Sequence, residues 1–330
     1  MKSRSSFRSI AIALVAGAAA LGLGLSGCSS TTAAGDAGAG ETRTVETHYG
    51  AVDVPVAPKR VVTVSYDTPW QLQSVGVRPV AVQDYSAYPG QFTAEAEAFV
   101  DGLPTVGSFF ALSLESVAAA KPDLIVGDAL EIDDQLYKKL SDIAPTAIFS
   151  ADYRGDWRTI GKGVADAVNK SSEFDTLATQ YDQRAEELTD TYHDVLTTKR
   201  WAGVSEGETG DGFSVLYPRG VVGALWFKDL GATIAPGVPA SNDNGFDYVS
   251  AELTTTVLGD ADVIVAPAQA DGRLHPKIQS VIDAPLFSEL PAVKAGNVYW
   301  VYSTVTDYSS ALAWLDAVET VVLKPLAAKA

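Results

Sequence analysis

Cysteine is almost absent. Of 330 residues only Cys28 carries a thiol, so no intramolecular disulfide can form and the fold rests on burial. Histidine occurs only at His48, His193 and His275, too far apart in sequence to suggest a zinc cluster. H-E-x-x-H and G-x-S-x-G are both missing. A formal G-x-G-x-x-G at Gly22–Gly27 lies inside an apolar run, with no strand before it and no helix to hold a pyrophosphate, and Gly161-Lys162-Gly163 lacks the hydroxyl residue and glycine spacing of a P-loop. Basic residues are few: 24 Lys and Arg face 41 Asp and Glu, a net charge of −17, which excludes nucleic acid as a partner because phosphates demand a basic footprint.

The chain begins with Lys2, Arg4 and Arg8, followed by an uncharged apolar run from Ile10 to Leu25. That run is too short to span a bilayer comfortably and reads as a secretory signal. It ends in Leu25-Ser26-Gly27-Cys28, which resembles the bacterial lipoprotein signal, in which the cysteine is acylated and becomes the mature N-terminus. Residues 1–27 carry three basic and no acidic side chains, so their removal moves the net charge to −20. The protein is then expected at the cell membrane, lipid-anchored through Cys28 on the extracytoplasmic side. Residues 28–43 form the lipidated tether, small, polar and rich in Gly and Ala between Ser29 and Gly40, with a reach of roughly 20 Å.

The longest helical signal is Ser172–Thr198. Phe174, Leu177, Tyr181, Ala185, Leu188, Tyr192 and Val195 recur at three- and four-residue steps, and acidic residues fill the opposite face. At 1.5 Å per residue this helix is roughly 40 Å long, the width of a small domain, which suits joining two units better than closing one. On either side strands and helices alternate. A hairpin at Thr44–Val54 precedes the strands Val61–Ser65, Pro79–Gln83, Asp123–Val126 and Thr146–Phe149; Trp201–Val204, Phe213–Tyr217, Asp262–Ala266 and Asn297–Tyr302 follow the long helix. Thr68 is expected to cap the first helix, and an amphipathic helix Ser309–Ala327 ends the chain. This grammar predicts an α/β fold: two Rossmann-like lobes with parallel-rich sheets, an N-terminal lobe over 44–171 and a C-terminal lobe over 199–330, joined by one long α-helix with a ligand cleft between the lobes.

Aromatic and cationic residues gather at predicted strand ends, where α/β sheets bind ligands. Tyr66, Trp70, Tyr85, Phe109, Tyr153 and Arg154 fall in the first half; Tyr217, Arg219, Trp226, Tyr248, Arg273 and Tyr302 fall in the second. Rings offer rigid contact area and arginine a permanent forked donor. Individual members have plainer readings: Trp226 sits at helical spacing from Leu230 and suits a core as well as a cleft. His48 and His193 read as surface residues, and His275 is the one histidine kept as a metal-ligand candidate. Glu115 and Glu252 each open a predicted helix after a serine, Ser113 and Ser250, in matching places of the two halves. The helix dipole explains one such carboxylate, and a pair suggests docking onto two arginines of a partner.

Ala57-Pro58-Lys59-Arg60-Val61-Val62, Val75-Gly76-Val77-Arg78-Pro79-Val80, Ser113-Leu114-Glu115 with Lys121-Pro122-Asp123-Leu124-Ile125-Val126, and Leu290-Pro291-Ala292-Val293-Lys294-Ala295-Gly296-Asn297-Val298-Tyr299 resemble the ferric-siderophore and cobalamin class of ABC-transporter substrate-binding lipoproteins. The resemblance runs from about Val52 to Leu326. It implies a monomeric binding protein, not an enzyme, that delivers its ligand to the transmembrane permease of an ATPase-coupled importer. It implies permease docking through Glu115 and Glu252, and a modest lobe tilt because a continuous helix resists wide opening. The ligand expected is a ferric siderophore, hydroxamate rather than catecholate since an acidic protein tolerates neutral or cationic complexes; haem and cobalamin are the alternatives within the class. The chelator supplies the iron's ligands, so no cofactor or protein–metal bond is required. The competing reading of another class, an exported hydrolase with paired carboxylates, places Glu115 or Glu252 inside the cleft. A sensor that passes ligand occupancy to a membrane partner shares every one of these features.

Overall fold

The computed structural model describes residues 40–109, 111–153, 155–207, 212–239 and 245–329. The secretory signal, Cys28, the tether up to residue 39 and Arg154 lie outside the described residues. Among the described residues twelve strands follow in order: β1 (Thr42–Thr47), β2 (Gly50–Pro55), β3 (Val61–Thr63), β4 (Gly107–Ser108), β5 (Ala111–Leu112), β6 (Leu124–Asp128), β7 (Thr146–Phe149), β8 (Trp201–Glu206), β9 (Gly212–Leu216), β10 (Phe246–Ser250), β11 (Val263–Ala268) and β12 (Val298–Tyr302).

The first half is built on a parallel sheet in the order β3-β6-β7. Pro79–Gln83, expected as a strand, contributes only single parallel bridges, Val62 to Ala81 and Val82 to Thr105. The second half carries five strands in the order β10-β9-β8-β11-β12. Its β8-β11-β12 side is parallel, whereas β8-β9-β10 is antiparallel, so this sheet is mixed and not parallel-rich throughout. Strand β10 escaped the sequence reading because Asp247 and Tyr248 face solvent on an edge, leaving Val249 as its one buried residue. The hairpin turns at His48-Tyr49, with Thr47 paired to Gly50.

Alternation along the central strands decides the layering. Val61 on β3, Leu124 and Val126 on β6, Trp201 on β8, and Val263 and Val265 on β11 all join one core cluster. Their neighbours face away: Val62 and Ile125 join a second cluster, and Ala202, Val204 and Ile264 a third. Strands buried on both faces read as continuous apolar runs, as these do. Each sheet therefore presents one face to the same apolar layer, and helices fill that layer. The helix Trp157–Ala167 supplies Trp157, Val164 and Ala165; the long helix supplies Phe174, Tyr181, Ala185 and Leu188; the terminal helix Tyr308–Val318 supplies Tyr308, Ala311, Trp314 and Leu315.

The long element is two helices, Ser171–Thr191 and His193–Thr198, interrupted at Tyr192. Tyr192 remains 8% exposed within the core, and its hydroxyl donates to Glu319 at 3.0 Å, so the apolar stripe continues through the break. The terminal element is likewise interrupted, by a π-helical turn at Glu319–Leu323. Arg184 ties the two elements together with hydrogen bonds to Asp316 at 3.0 Å and Glu319 at 2.6 Å. Nearer the sheets, the Tyr308 ring meets Trp157 at 5.0 Å, Phe174 at 5.1 Å and Tyr181 at 5.6 Å. Asp229, from the second half, accepts from Arg158 and, at 2.7 Å, from the Tyr181 hydroxyl.

Removing Asp229 strands a guanidinium and a phenol inside this junction. Asp229→Ala is expected to cost about 1–3 kcal/mol in urea unfolding, the range for half-buried partners losing a charged hydrogen-bond acceptor. A loss within about 0.5 kcal/mol would show that the junction does not depend on it.

Candidate functional site

The strand β3 runs into Val64-Ser65-Tyr66 and then the helix Thr68–Ser74. Asp67, not Thr68, is the cap residue of that helix; Thr68 is its first residue, and its hydroxyl donates back to the Ser65 carbonyl at 2.9 Å. The turn places Tyr66 at the carboxyl end of the parallel sheet. Around the Tyr66 ring stand five others: Tyr88 at 5.2 Å, Tyr85 at 5.6 Å, Phe92 at 5.8 Å, Trp70 at 5.9 Å and Phe109 at 6.1 Å. Trp70 and Phe92 stack at 4.2 Å. Edge-to-face and stacked pairs at such separations are favourable, so the group forms a cohesive wall.

Both main-chain groups of Tyr66 are held by side chains. Its N–H donates to Glu131 Oε1 at 2.6 Å, and its carbonyl accepts from the Tyr85 hydroxyl at 2.8 Å. The other Glu131 oxygen accepts from Gln83 Nε2 at 2.6 Å, and the same nitrogen donates to the Val64 carbonyl at 2.9 Å. Glu131 is 9% and Gln83 3% exposed. Burial outweighs these two donors and, with Asp128 nearby, pushes the Glu131 carboxyl up to about 7. Burial also raises the Tyr66 phenol, so it stays protonated; its hydroxyl is buried near Gln91 and meets no partner at bonding geometry.

An open hollow of about 500 Å³ lies on the outer side of Tyr85, Tyr88 and Phe92, and two further cavities lie toward the rest of the molecule. One, of about 430 Å³, opens at the ends of β6 and β7, with Gln71, Phe149, Tyr153 and Trp157 in its lining. Its charged lining among the described residues is acidic, from Asp67, Asp128, Asp152 and Asp156, with His48 at the rim. Gln71 Oε1 and Trp157 Nε1 are buried there without partners. The second, of about 320 Å³, lies beyond Trp70 and Phe92, and Tyr302, Thr306 and Trp314 help line it from the second half.

The halves touch along this side. Ala270 N–H donates to the Gly90 carbonyl at 3.2 Å, Thr304 Oγ1 to the Gln91 carbonyl at 3.2 Å, and Gln71 Nε2 to the Thr306 carbonyl at 3.3 Å. The Arg219 guanidinium lies 5.1 Å over the Tyr153 ring, and Lys228 reaches the Tyr153 hydroxyl at 3.5 Å. Gly155 makes this approach possible, since a Cβ there would sit 2.5 Å from the Arg219 carbonyl.

Tyr66, Trp70, Tyr85 and Phe109 are thus brought together, Tyr302 lines the second cavity, and Tyr153 with Arg219 bridges the halves. Two expected wall residues belong to the core. Trp226 is 2% exposed, packed 5.4 Å from Trp201 and 5.0 Å from Trp314, because its helical register turns it inward; Tyr217 is 1% exposed in the cluster behind β9. Tyr248 is 49% exposed beside Phe246, and Arg273 is exposed and paired with Asp271 within its own loop; neither lines either cavity. His275 caps the helix Pro276–Ile282, its Nδ1 accepting from Lys277 N–H at 3.3 Å. Among the described residues no group of three or more His, Cys, Asp or Glu side chains is placed to hold a metal ion. Glu115 and Glu252 are both exposed, the first opening the α-helix Leu114–Ala119, the second in a 3₁₀ turn Ala251–Leu253 ahead of the helix Thr254–Leu258. Neither lines any of the cavities described above, against the hydrolase arrangement.

Residues 61–303 match the periplasmic binding protein family. The chain belongs to that family. It is a substrate-binding protein and not an enzyme. It is 27% identical over 313 residues to the probable siderophore-binding lipoprotein YfiY of Bacillus subtilis, spanning 91% of this chain and 94% of the relative. The Fe(3+)-citrate-binding protein YfmC of the same organism is 27% identical over 83% of this chain and 84% of its own. The solved siderophore periplasmic binding protein from the fuscachelin gene cluster of Thermobifida fusca superposes with a TM-score of 0.72 at 28% identity, covering 81% of this chain and 97% of that one. The two-lobed α/β architecture of this binding protein is shared with it.

Glu131 and Gln83 were not among the residues singled out from sequence. A lone Gln in a β-branched segment and a Glu after a strand carry no motif, and only the fold brings them together. Because the folded protein holds the Glu131 proton up to about 7 against an ordinary value of 4.5, it binds more protons than the unfolded chain between those values. Stability from this residue is therefore expected to be full below pH 4.5, to fall as pH rises to 7 by at most about 3 kcal/mol, and to be flat above. Urea unfolding across pH 4.5–8 checks this, with Glu131→Gln abolishing that component of the slope.

Proposed function

We propose that this protein is the membrane-anchored substrate-binding component of an ABC importer that captures a ferric siderophore, of hydroxamate type, and delivers it to the permease. The observation that carries the reading is the aromatic wall around Tyr66, set beside an acidic cavity at the ends of β6 and β7 and a second cavity lined from both halves. Rings and phenol hydroxyls suit the apolar spacers and the oxygen-rich surface of a chelate. Tyr66, Trp70, Tyr85, Phe109, Tyr153, Arg219 and Tyr302 are the binding residues on this reading. The printed functions of the relatives, siderophore and ferric citrate binding, agree in ligand class.

The preference for hydroxamate rests on charge. Asp67, Asp128, Asp152 and Asp156 line the 430 Å³ cavity, and a highly anionic catecholate complex meets repulsion there, whereas a neutral or cationic trihydroxamate does not. The iron stays within its chelator as cargo. Glu115 and Glu252, exposed in matching places of the two halves, are the permease contacts, and Cys28 is the lipid attachment point that keeps the monomeric protein at the outer face of the membrane.

Trp70 stands within the wall, so bound ligand should quench tryptophan emission. Titration of the mature protein with ferric trihydroxamates, ferric catecholates, haem and cobalamin is expected to give saturable quenching at sub-micromolar concentration, about the range of specific binding, with the hydroxamates. Such quenching by haem or cobalamin alone would contradict the siderophore reading. The double substitution Glu115→Ala/Glu252→Ala is expected to leave the dissociation constant within about twofold while transport falls at least about tenfold. Equal losses in binding and uptake would remove the docking role.

A further inference from the structure

The Tyr66 turn has an unusual support. A strand-to-helix turn ordinarily satisfies its main chain through neighbouring backbone or solvent. Here the Tyr66 N–H is received by a buried carboxylate from a loop 65 residues further on, and that carboxylate is braced by a buried amide from a third segment. The pair lies directly beneath the ring wall.

We propose that Glu131, braced by Gln83, is a positioning residue of the binding site: it fixes Tyr66 through the main-chain N–H, and its proton occupancy sets how firmly the wall grips a ligand. The inference rests on the reading that Tyr66 contributes to ligand binding. In the ionised state both carboxylate oxygens accept, one from Tyr66 and one from Gln83, and hydrogen bonds to a charged acceptor are the strong ones. When Glu131 takes up a proton, one oxygen becomes a donor. It then faces either the Tyr66 N–H or the Gln83 NH₂, and both of these are donors too. Rotating the Gln83 amide to offer its oxygen breaks the bond that Nε2 makes to Val64, on the strand that leads into Tyr66. Either adjustment loosens the turn. A loosened turn lowers affinity because the ring must then be ordered at the moment of binding.

The titratable groups around this carboxylate are named by the geometry. Asp128 lies on its own loop, Tyr66 and Asp67 come from the turn, and the Tyr85 hydroxyl approaches from the loop that also holds Tyr66 O. Burial keeps the phenols protonated across the physiological range, so they do not switch. Glu131 carries the shift toward neutrality, which puts its proton exchange where extracytoplasmic pH varies. The protonated form is the more stable fold and the ionised form the better-organised site, a trade between stability and function of a familiar kind.

The test separates this device from the ligand reading. Tyrosine ring-labelled mature protein, without ligand, is titrated by NMR from pH 5 to 9, the Tyr66 signal being assigned with Tyr66→Phe. A transition with a midpoint near pH 7 is expected in the wild type and a flat response in Glu131→Gln, whose fold is checked by the retained spectrum of the other tyrosines. Affinity for a ferric trihydroxamate is then measured by tryptophan quenching at pH 5.5 and 8. The wild type is expected to bind roughly ten- to hundredfold more weakly at the lower pH, the loss of one charge-assisted bond, and Glu131→Gln to bind weakly at both. A flat Tyr66 titration, or a titrating Tyr66 with a wild-type affinity ratio no larger than that of Glu131→Gln, would overturn the proposal. If no chelate binds at either pH, the siderophore reading fails and the ligand-free titration alone decides whether Glu131 positions Tyr66.

Discussion

Everything in this molecule depends on two sheets sharing one apolar layer. Neither β3-β6-β7 nor the inner face of β8-β11 is closed off by its own helices alone; both discharge their alternate side chains into a layer occupied by the helix Trp157–Ala167, the long helix and the terminal helix. The halves are thus held by a continuous core and not by a linker. Tyr308, Arg158, Asp229 and Tyr181 sit where the three helical elements meet, with ring contacts and a half-buried ion pair that tolerate little change of angle. A packed core of this density resists deformation, so a small tilt with repacking at the outer contacts is the motion it permits.

The same layering explains where binding chemistry is available. With one face of each sheet committed to the shared helices, the free positions are the strand ends, and there the first half gathers its aromatic residues. Tyr66 is the pivot of that gathering because it stands in the turn between β3 and the helix Thr68–Ser74. The second half answers with backbone and polar contacts to Gly90 and Gln91 and with Arg219 over Tyr153. Rings on one side and polar groups on the other make a boundary that can enclose a chelate without contributing a ligand to its metal.

Much of this could be read from the chain alone. The long amphipathic stripe from Phe174 to Val195 fixes a helix whatever its context, and its regularity survives a break at Tyr192 that no periodicity signals, since Tyr192 keeps its place in the stripe. Apolar runs such as Leu124–Val126 and Val263–Val265 announce strands buried on both faces. What stays hidden is anything that needs the third dimension. Trp226 and Tyr217 have the composition of wall residues, but the direction in which a short helix or a strand end turns them is set by packing against Trp201, Trp314 and the helices behind β9. Strand β10 lacks an apolar pattern because it is an edge. The Glu131–Gln83 pair joins residues 48 positions apart, neither of them notable alone. His275 illustrates the opposite error: rarity made it conspicuous, and its place is that of a helix cap.

The central claim is that the ring wall around Tyr66 and the acidic cavity beside it hold a chelated ferric ion between the halves. The most direct measurement is a crystal structure of the mature protein with a ferric trihydroxamate, with the iron located by its anomalous scattering. The account predicts iron between the halves, within contact range of the Tyr66 and Tyr302 side, with all of its ligand atoms supplied by the chelator. Iron bound by protein side chains, or a chelate seated away from the Tyr66 wall, would contradict it.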